Sequence, residues 1–285
     1  MDSDTVLILG ASGKTGRRVA ALLRLRGVPV RAASRSSSTR FDWGDPSGWD
    51  AALKGVAAVY VVAPTTPGPV SEFVARAKAA GVSRLVLLSG RGADKWGDSR
   101  FGRDMLDAEA AVRGSTLEWT VLRPTNFFQN FTDPQAHCDT IAAGELALPV
   151  GPLTEAMIDV DNVADVIATV LTEPGRHAGQ VYELSGPRAL TYREAVELIS
   201  LATDRPISYS EIDVDDYAAT LIRQGLDEHY AYCVSDMYVI IARGTLATPT
   251  DGVRTLLGRE PRAFEDFVVR AAAGGSWLAE QRGPQ

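Results

Sequence analysis

Short apolar runs alternate along the chain with longer stretches in which apolar residues recur every three or four positions. Val6-Leu7-Ile8-Leu9, Val28-Pro29-Val30-Arg31-Ala32-Ala33, Ala57 to Ala63, Arg84 to Ser89 and Trp119-Thr120-Val121-Leu122 have the length and composition of strands covered on both faces. Helical stretches separate them. One carries Val19, Leu22, Leu23 and Leu25 and stops at Gly27, and the next is capped by Ser71 and ended by Gly81. A third runs from about Asp104 to Arg113, with Met105, Ala108 and Val112 at helical spacing. Strand and helix in regular alternation specify an α/β fold with a doubly wound parallel sheet. Farther on, Asp161 is expected to cap a helix whose apolar face is Val163, Val166, Ile167 and Val170, and Val181 to Leu184 reads as the sheet's last strand. The expected division is a Rossmann core over 1–150 and a small C-terminal α/β lobe over 151–285, interleaved with the core near 155–185.

The turn after the first strand, Gly10-Ala11-Ser12-Gly13-Lys14-Thr15-Gly16, is the strongest chemical signal. A glycine-rich loop between a strand and a helix aims free backbone N–H groups and the positive end of the helix dipole at an anion. Gly10 and Gly13 suit a tight turn and close approach to a pyrophosphate, and Gly16 suits close packing of helix on strand. A mononucleotide P-loop would place its first glycine at position 8, which is Ile8, so Gly13-Lys14-Thr15 is not that motif. Lys14 is expected near the phosphates of a dinucleotide instead.

Where an NAD-binding unit usually carries a carboxylate for the ribose 2′-hydroxyl, the second strand ends in Ser34-Arg35. A guanidinium with a hydroxyl donor beside it suits a 2′-phosphate, which favours NADP over NAD. Ligands of such sheets lie beyond the carboxyl ends of the strands. Ala63-Pro64-Thr65, Ser89-Gly90-Arg91 and Pro124-Thr125-Asn126-Phe127 are therefore expected to line the cofactor groove, with the last segment beside the nicotinamide.

The rest of the composition removes alternatives. A net charge of −7 over 285 residues, with no basic run, argues against nucleic acid as a partner. No apolar run reaches the roughly 18 residues of a membrane span, and no basic segment leads into an apolar one, so a cytoplasmic location is expected. Cys138 and Cys233 have neither metal-site spacing nor the number needed for a disulfide framework, and read as small buried thiols. Asp159, Asp161 and Asp165 lack the loop geometry of a metal site.

GASGKTG at 10–16, SR at 34–35, YVVAP at 60–64, RLVLLSG at 84–90, EWTVLRPTNFFQNF at 118–131 and IDVDNVADVIATVL at 158–171 together resemble the NmrA-like atypical short-chain dehydrogenase/reductases. LTYREAVELIS, Asp216-Tyr217, Gly225-Leu226, Gly244 and LLGREPRAFEDF are similar to that family's small substrate lobe. FDW at 41–43 and the LRPT-x-F-x-x-N element bring the chain nearest to the branch of the ergot-alkaloid iminium reductases, of agroclavine and festuclavine dehydrogenase type. The resemblance implies NADPH-dependent reduction of an imine, an iminium ion or a quinone-like acceptor. The alternatives are a non-catalytic NADP-sensing regulator and a carbonyl reductase with a non-standard acid.

One departure sharpens this. The wider superfamily carries Tyr-x-x-x-Lys on the helix after the fourth strand, where tyrosine donates a proton and lysine lowers its pKa. Phe101 and Met105 stand in that register here. A ketone needs protonation of its developing alkoxide; an iminium ion needs only hydride, and a quinone can take its proton from water. Ser89, at the end of the fourth strand, and His137, where the family's substrate lobe begins, are the candidates for a substrate hydrogen bond or an acid. Asp94, Lys95, Trp96 and Asp98 form a polar loop over the cleft. The aromatic-rich stretch Tyr217, Leu221, Leu226, Tyr230, Tyr232, Met237 and Tyr238 suits a pocket for a small hydrophobic or aromatic substrate. The chain is expected to act as a monomer or homodimer.

Overall fold

The computed structural model describes residues 5–64, 69–96 and 99–278, apart from the side chains of Arg100 and Phe101. Its first half runs β1 (Val6–Leu9), α1 (Gly16–Leu25), β2 (Val30–Ser34), β3 (Thr39–Arg40), α2 (Trp49–Leu53), β4 (Ala58–Val62), α3 (Val70–Ala79), β5 (Arg84–Leu88), α4 (Arg100–Arg113) and β6 (Glu118–Pro124). The second half runs α5 (Cys138–Ala143), β7 (Glu145–Leu148), β8 (Thr154–Glu155), α6 (Val160–Thr172), β9 (Gln180–Leu184), β10 (Leu190–Thr191), α7 (Tyr192–Thr203), β11 (Ser208–Glu211), α8 (Val214–Arg223), α9 (Glu228–Ile241), α10 (Gly252–Leu257) and α11 (Phe264–Ala273).

Seven strands form one parallel sheet in the order β3-β2-β1-β4-β5-β6-β9. The order reverses between β1 and β4, the point where doubly wound sheets bind ligands. Alternation within each strand sorts the two faces. Val6, Ile8, Ala58, Tyr60, Val86 and Leu122 pack with Val19, Leu23, Val163, Ile167 and Val253 on the side of α1, α6 and α10. Leu7, Leu9, Val59, Val61, Leu85 and Leu87 pack with Trp49, Phe73, Val74 and Val112 on the side of α2, α3 and α4. Since both faces are covered, the central strands β1 and β4 are apolar throughout, which is why their sequence runs are continuous.

A second core, with Phe131, Ile141, Leu148, Tyr192, Ile199, Tyr238 and Phe264, lies under two small sheets, parallel β7/β11 and antiparallel β8/β10. The chain enters this lobe after β6, returns to the main sheet for α6 and β9, and leaves it again at β10. It comes back once more at α10, whose Val253, Leu256 and Leu257 pack on the main core, before α11 closes the lobe with Phe264 and Phe267.

Two caps differ from the sequence reading. Helix α3 starts at Val70 after Pro69 with no side-chain cap, so Ser71 lies inside its first turn. Helix α6 is capped by Asp159, which accepts from the Asp161 amide; Asp161 sits in the first turn and pairs with Arg18 and Arg262 instead. Helix α4 also begins earlier than expected, because Ser99 caps it through the Gly102 amide. No helix among the described residues is long and apolar enough to cross a membrane.

Candidate functional site

The glycine turn sits beside the strand-order reversal. Gly10 has φ +61°, a left-handed value that favours glycine, and Gly13 N–H donates to its carbonyl at 2.9 Å. A Cβ on Gly16 would lie 2.3 Å from Gly10 O, so only glycine lets α1 start this close to the turn. The Ala11 amide donates to Ala33 O at 3.1 Å, and Tyr60 donates to buried Thr15 Oγ1 at 2.9 Å, pinning both ends of the loop to the sheet. No side chain caps α1 and no acidic residue lies in its first turn. The Arg17 and Arg18 amides donate to Gly13 O and Thr15 O, so the anion-binding face is the turn around the exposed Ser12 and the positive end of α1, with no acidic side chain to oppose an anion there. This backbone cradle fits a dinucleotide pyrophosphate.

Lys14 Nζ lies 2.9 Å from Asn130 Oδ1 and 2.5 Å from Asp133 Oδ2. It therefore ties the loop to the start of the lobe. At the far end of β2, Ser34 is buried and its Oγ contacts Ser37 Oγ at 2.6 Å and receives the Ser36 amide at 3.3 Å. Arg35 is exposed. Sequence reasoning missed Arg40, the register neighbour of Ser34 on β3 and a second exposed guanidinium at the same sheet corner. A two-residue strand after a serine-rich loop leaves no periodicity to find it by.

Beyond β5, Ser89 is buried and donates to Glu109 Oε1 at 2.6 Å. Glu109 is gripped in turn by Arg123, with Nε and Nη2 each 2.8 Å from its two oxygens, and Arg123 Nη1 reaches Asp94 at 3.0 Å. The Ser89 proton is thus committed to a buried ion pair. A Cβ on Gly90 would meet Met105 Sδ at 2.8 Å, so the thioether standing in the lysine register packs directly on that turn. Ala63 and Pro64 follow β4, whose Val62 packs 3.6 Å from the Cβ position of Gly10. Thr65 and Asp98 lie outside the described residues.

After β6, Pro124 leads into Thr125, which donates to Ala156 O at 2.7 Å. Asn126 gives both its backbone N–H and its Nδ2 to Glu155, at 2.9 and 3.1 Å, and Tyr192 donates to the same carboxylate at 3.0 Å. Phe127 bridges to Ile158. Burial raises the Glu155 carboxyl above its ordinary value, against the hydrogen bonds from Asn126 and Tyr192 that lower it. Nothing in the sequence marked Glu155, because its partners lie 29 and 37 residues away.

His137 is buried, and its Nε2 lies 2.8 Å from the Tyr238 hydroxyl, which also meets Tyr217. Burial pushes the imidazole down to about 4, with the charge on Lys14 acting the same way. It is neutral at pH 7. Tyr217 and Tyr238 are buried in the lobe core, whereas Tyr230 is exposed. Asp159, Asp161 and Asp165 each face arginine, and His177 bridges Tyr182 and Glu173 at 3.0 Å each. A hollow of about 450 Å³ lies between α3 and α4, lined by Pro64, Ser71 and Asp104 among others and by no residue of the glycine turn.

Comparison with known proteins agrees with this geometry. A family described as NAD(P)H-binding matches residues 10–174. The chain is 30% identical to an NAD(P)H azoreductase of Xenophilus azovorans, covering 95% of this chain and 99% of that one. It is 31% identical to an agroclavine dehydrogenase of Claviceps fusiformis over 93% and 96% of the two chains. Among solved structures, the NADPH-dependent quinone oxidoreductase of Escherichia coli complexed with NADPH superposes with a TM-score of 0.79 at 23% identity, covering 93% and 99%. The chain belongs to the NAD(P)H-binding family.

Proposed function

We propose that this chain is an NADPH-dependent reductase that transfers hydride to an imine, an iminium ion or a quinone-like acceptor. The carrying observation is that groups at the end of β5 are not poised as proton donors. Met105 packs on Gly90, the Ser89 hydroxyl serves Glu109, and the residue at 101 is a phenylalanine with no proton to give. His137 is neutral at pH 7 and engaged with Tyr238. An acceptor that already carries positive charge, or spreads negative charge over a conjugated system, suits such a site.

The chain's own residues would do the rest. Gly10, Ser12, Gly13, Thr15 and Gly16 would hold the pyrophosphate, and Ser34 and Arg35, with Arg40 adjacent, the 2′-phosphate. Ala63, Pro64, Ser89, Gly90, Pro124, Asn126 and Phe127 would line the groove toward the lobe. Lys14 would brace the loop against Asn130 and Asp133. Reduced nicotinamide supplies the hydride when bound, and catalysis rests on proximity and orientation.

The test is NADPH consumption against iminium salts, quinones, azo dyes and ketones. Turnover on charged or conjugated acceptors is expected, nearly independent of pH between about 6 and 8 because no acid with an unperturbed pKa in that range takes part. Preference for ketones with a titrating kcat would overturn the mechanism. Absence of turnover with redox-dependent partner binding would make the chain a sensor.

A further inference from the structure

Asp104 on α4 and His229 and Cys233 on α9 meet where core and lobe join, and the proposed reduction uses none of them. Their ligand atoms all lie within 4.8 Å of one another. His229 and Cys233 are one helical turn apart, on the same face of α9. Nε2 of His229 is 3.5 Å from Cys233 Sγ and 3.7 Å from Asp104 Oδ2.

The sulfur–nitrogen separation matches a tetrahedron edge, and the nitrogen–oxygen separation is within a few tenths of an ångström of one. With Zn–S about 2.3 Å and Zn–N and Zn–O about 2.0–2.1 Å, the sulfur–nitrogen edge is about 3.5 Å and the nitrogen–oxygen edge about 3.3 Å. As a hydrogen bond, the 3.7 Å contact is too long.

A second observation points the same way. The Asp104 side chain is only 8% exposed, and its buried Oδ2 accepts no hydrogen bond among the described residues. A buried carboxylate oxygen in that condition is costly unless a cation sits against it. His229 is about one-third exposed, which leaves a route in from solvent. Thiolate, imidazole and carboxylate together select a borderline-soft divalent ion over magnesium or calcium, which prefer oxygen.

We propose that Asp104, His229 and Cys233 bind one zinc ion, with water in the fourth position, fastening α9 of the lobe to α4 of the core. Binding releases the Cys233 proton to solvent and leaves no redox change. Because α4 also carries Met105, the ion would hold the lobe in register with the floor of the groove.

The experiment titrates the untagged full-length chain with cobalt(II) and then displaces it with zinc. A thiolate-to-cobalt charge-transfer band and intense tetrahedral d–d bands are expected, saturating at one ion per chain. Cys233→Ser should lose the charge-transfer band. His229→Gln, at a partly exposed position, and the near-isosteric Asp104→Asn should each weaken zinc binding at least tenfold while keeping the wild-type circular dichroism, so the test survives misfolding of the cysteine variant. No charge-transfer band in the wild-type chain, or unchanged zinc affinity in both His229→Gln and Asp104→Asn, would overturn the proposal.

Discussion

The glycine turn and the buried network of the lobe both hold polar groups still, by opposite means. At the turn, the work falls to backbone: Gly10 takes a left-handed φ, Gly16 admits Gly10 O where any Cβ would collide, and α1 starts with no side-chain cap and no acidic residue. In the lobe, side chains from distant segments satisfy one another: Glu155 takes three hydrogen bonds from Asn126 and Tyr192, and His137 rests on Tyr238. A backbone site fails when atoms are added; a side-chain network fails when they are removed. That difference sets what each perturbation should do.

Removal should act most strongly at Glu155. Glu155→Ala leaves the Tyr192 hydroxyl and the Asn126 donors without their acceptor, and at about 1–3 kcal/mol per orphaned buried group a loss of about 4 kcal/mol is expected in urea unfolding. A loss below about 1 kcal/mol would show that water replaces the carboxylate and that the lobe floor is not a closed network.

His137 makes the second contrast, through pH. Its value in the folded chain, about 4, lies below the ordinary 6.5, so between those limits the unfolded chain binds more protons. Stability is therefore complete above about pH 6.5 and falls as pH drops toward 4, by about 3 kcal/mol for 2.5 pH units at 1.36 kcal/mol each. His137→Gln should flatten that slope while keeping a hydrogen bond to Tyr238. An unchanged slope would assign the acid sensitivity elsewhere.

Addition should act most strongly at the turn. In Gly16→Ala the new Cβ meets Gly10 O and C at 2.3 and 2.8 Å, and backbone must move. NADPH affinity should fall about 100-fold, roughly 2.7 kcal/mol, with little loss of helix signal. Normal NADPH titration in this variant would mean that the cradle is formed by something other than the turn.

The smallest expected effect concerns the cofactor's tail. Arg35→Asp should remove at least a tenfold preference for NADPH over NADH, about 1.4 kcal/mol, as read by calorimetry of both cofactors. Should the preference survive in Arg35→Asp but vanish when Arg40 is also replaced, β3 rather than the β2 terminus carries the selectivity.

The two regions also differ in how far they could be read beforehand. Both faces of the parallel sheet are apolar, so its strands appear as runs, and Gly10, Gly13 and Gly16 mark the turn because backbone demands act on adjacent residues. Ser71 and Asp161 are good cap residues by type, but α3 starts without a side-chain cap and the cap of α6 belongs to Asp159, whose extended backbone places its oxygen over the first turn. Strands β3, β8 and β10, of two residues each, are too short to carry a period.

Sequence by itself determined the alternating α/β order, the glycine turn after the first strand, and that 101 is not a tyrosine nor 105 a lysine, since each depends on residues close in the chain or on the identity of one residue. Tertiary structure alone decided that Ser89 spends its proton on Glu109, that Asn126 is held by Glu155, that His137 is buried beside Tyr238, and that Asp104 meets His229 and Cys233. The physical reason is range: a turn or a strand is specified by backbone torsions and local periodicity. Which buried donor finds which acceptor is fixed only when packing brings together segments separated by 14 to more than 100 residues.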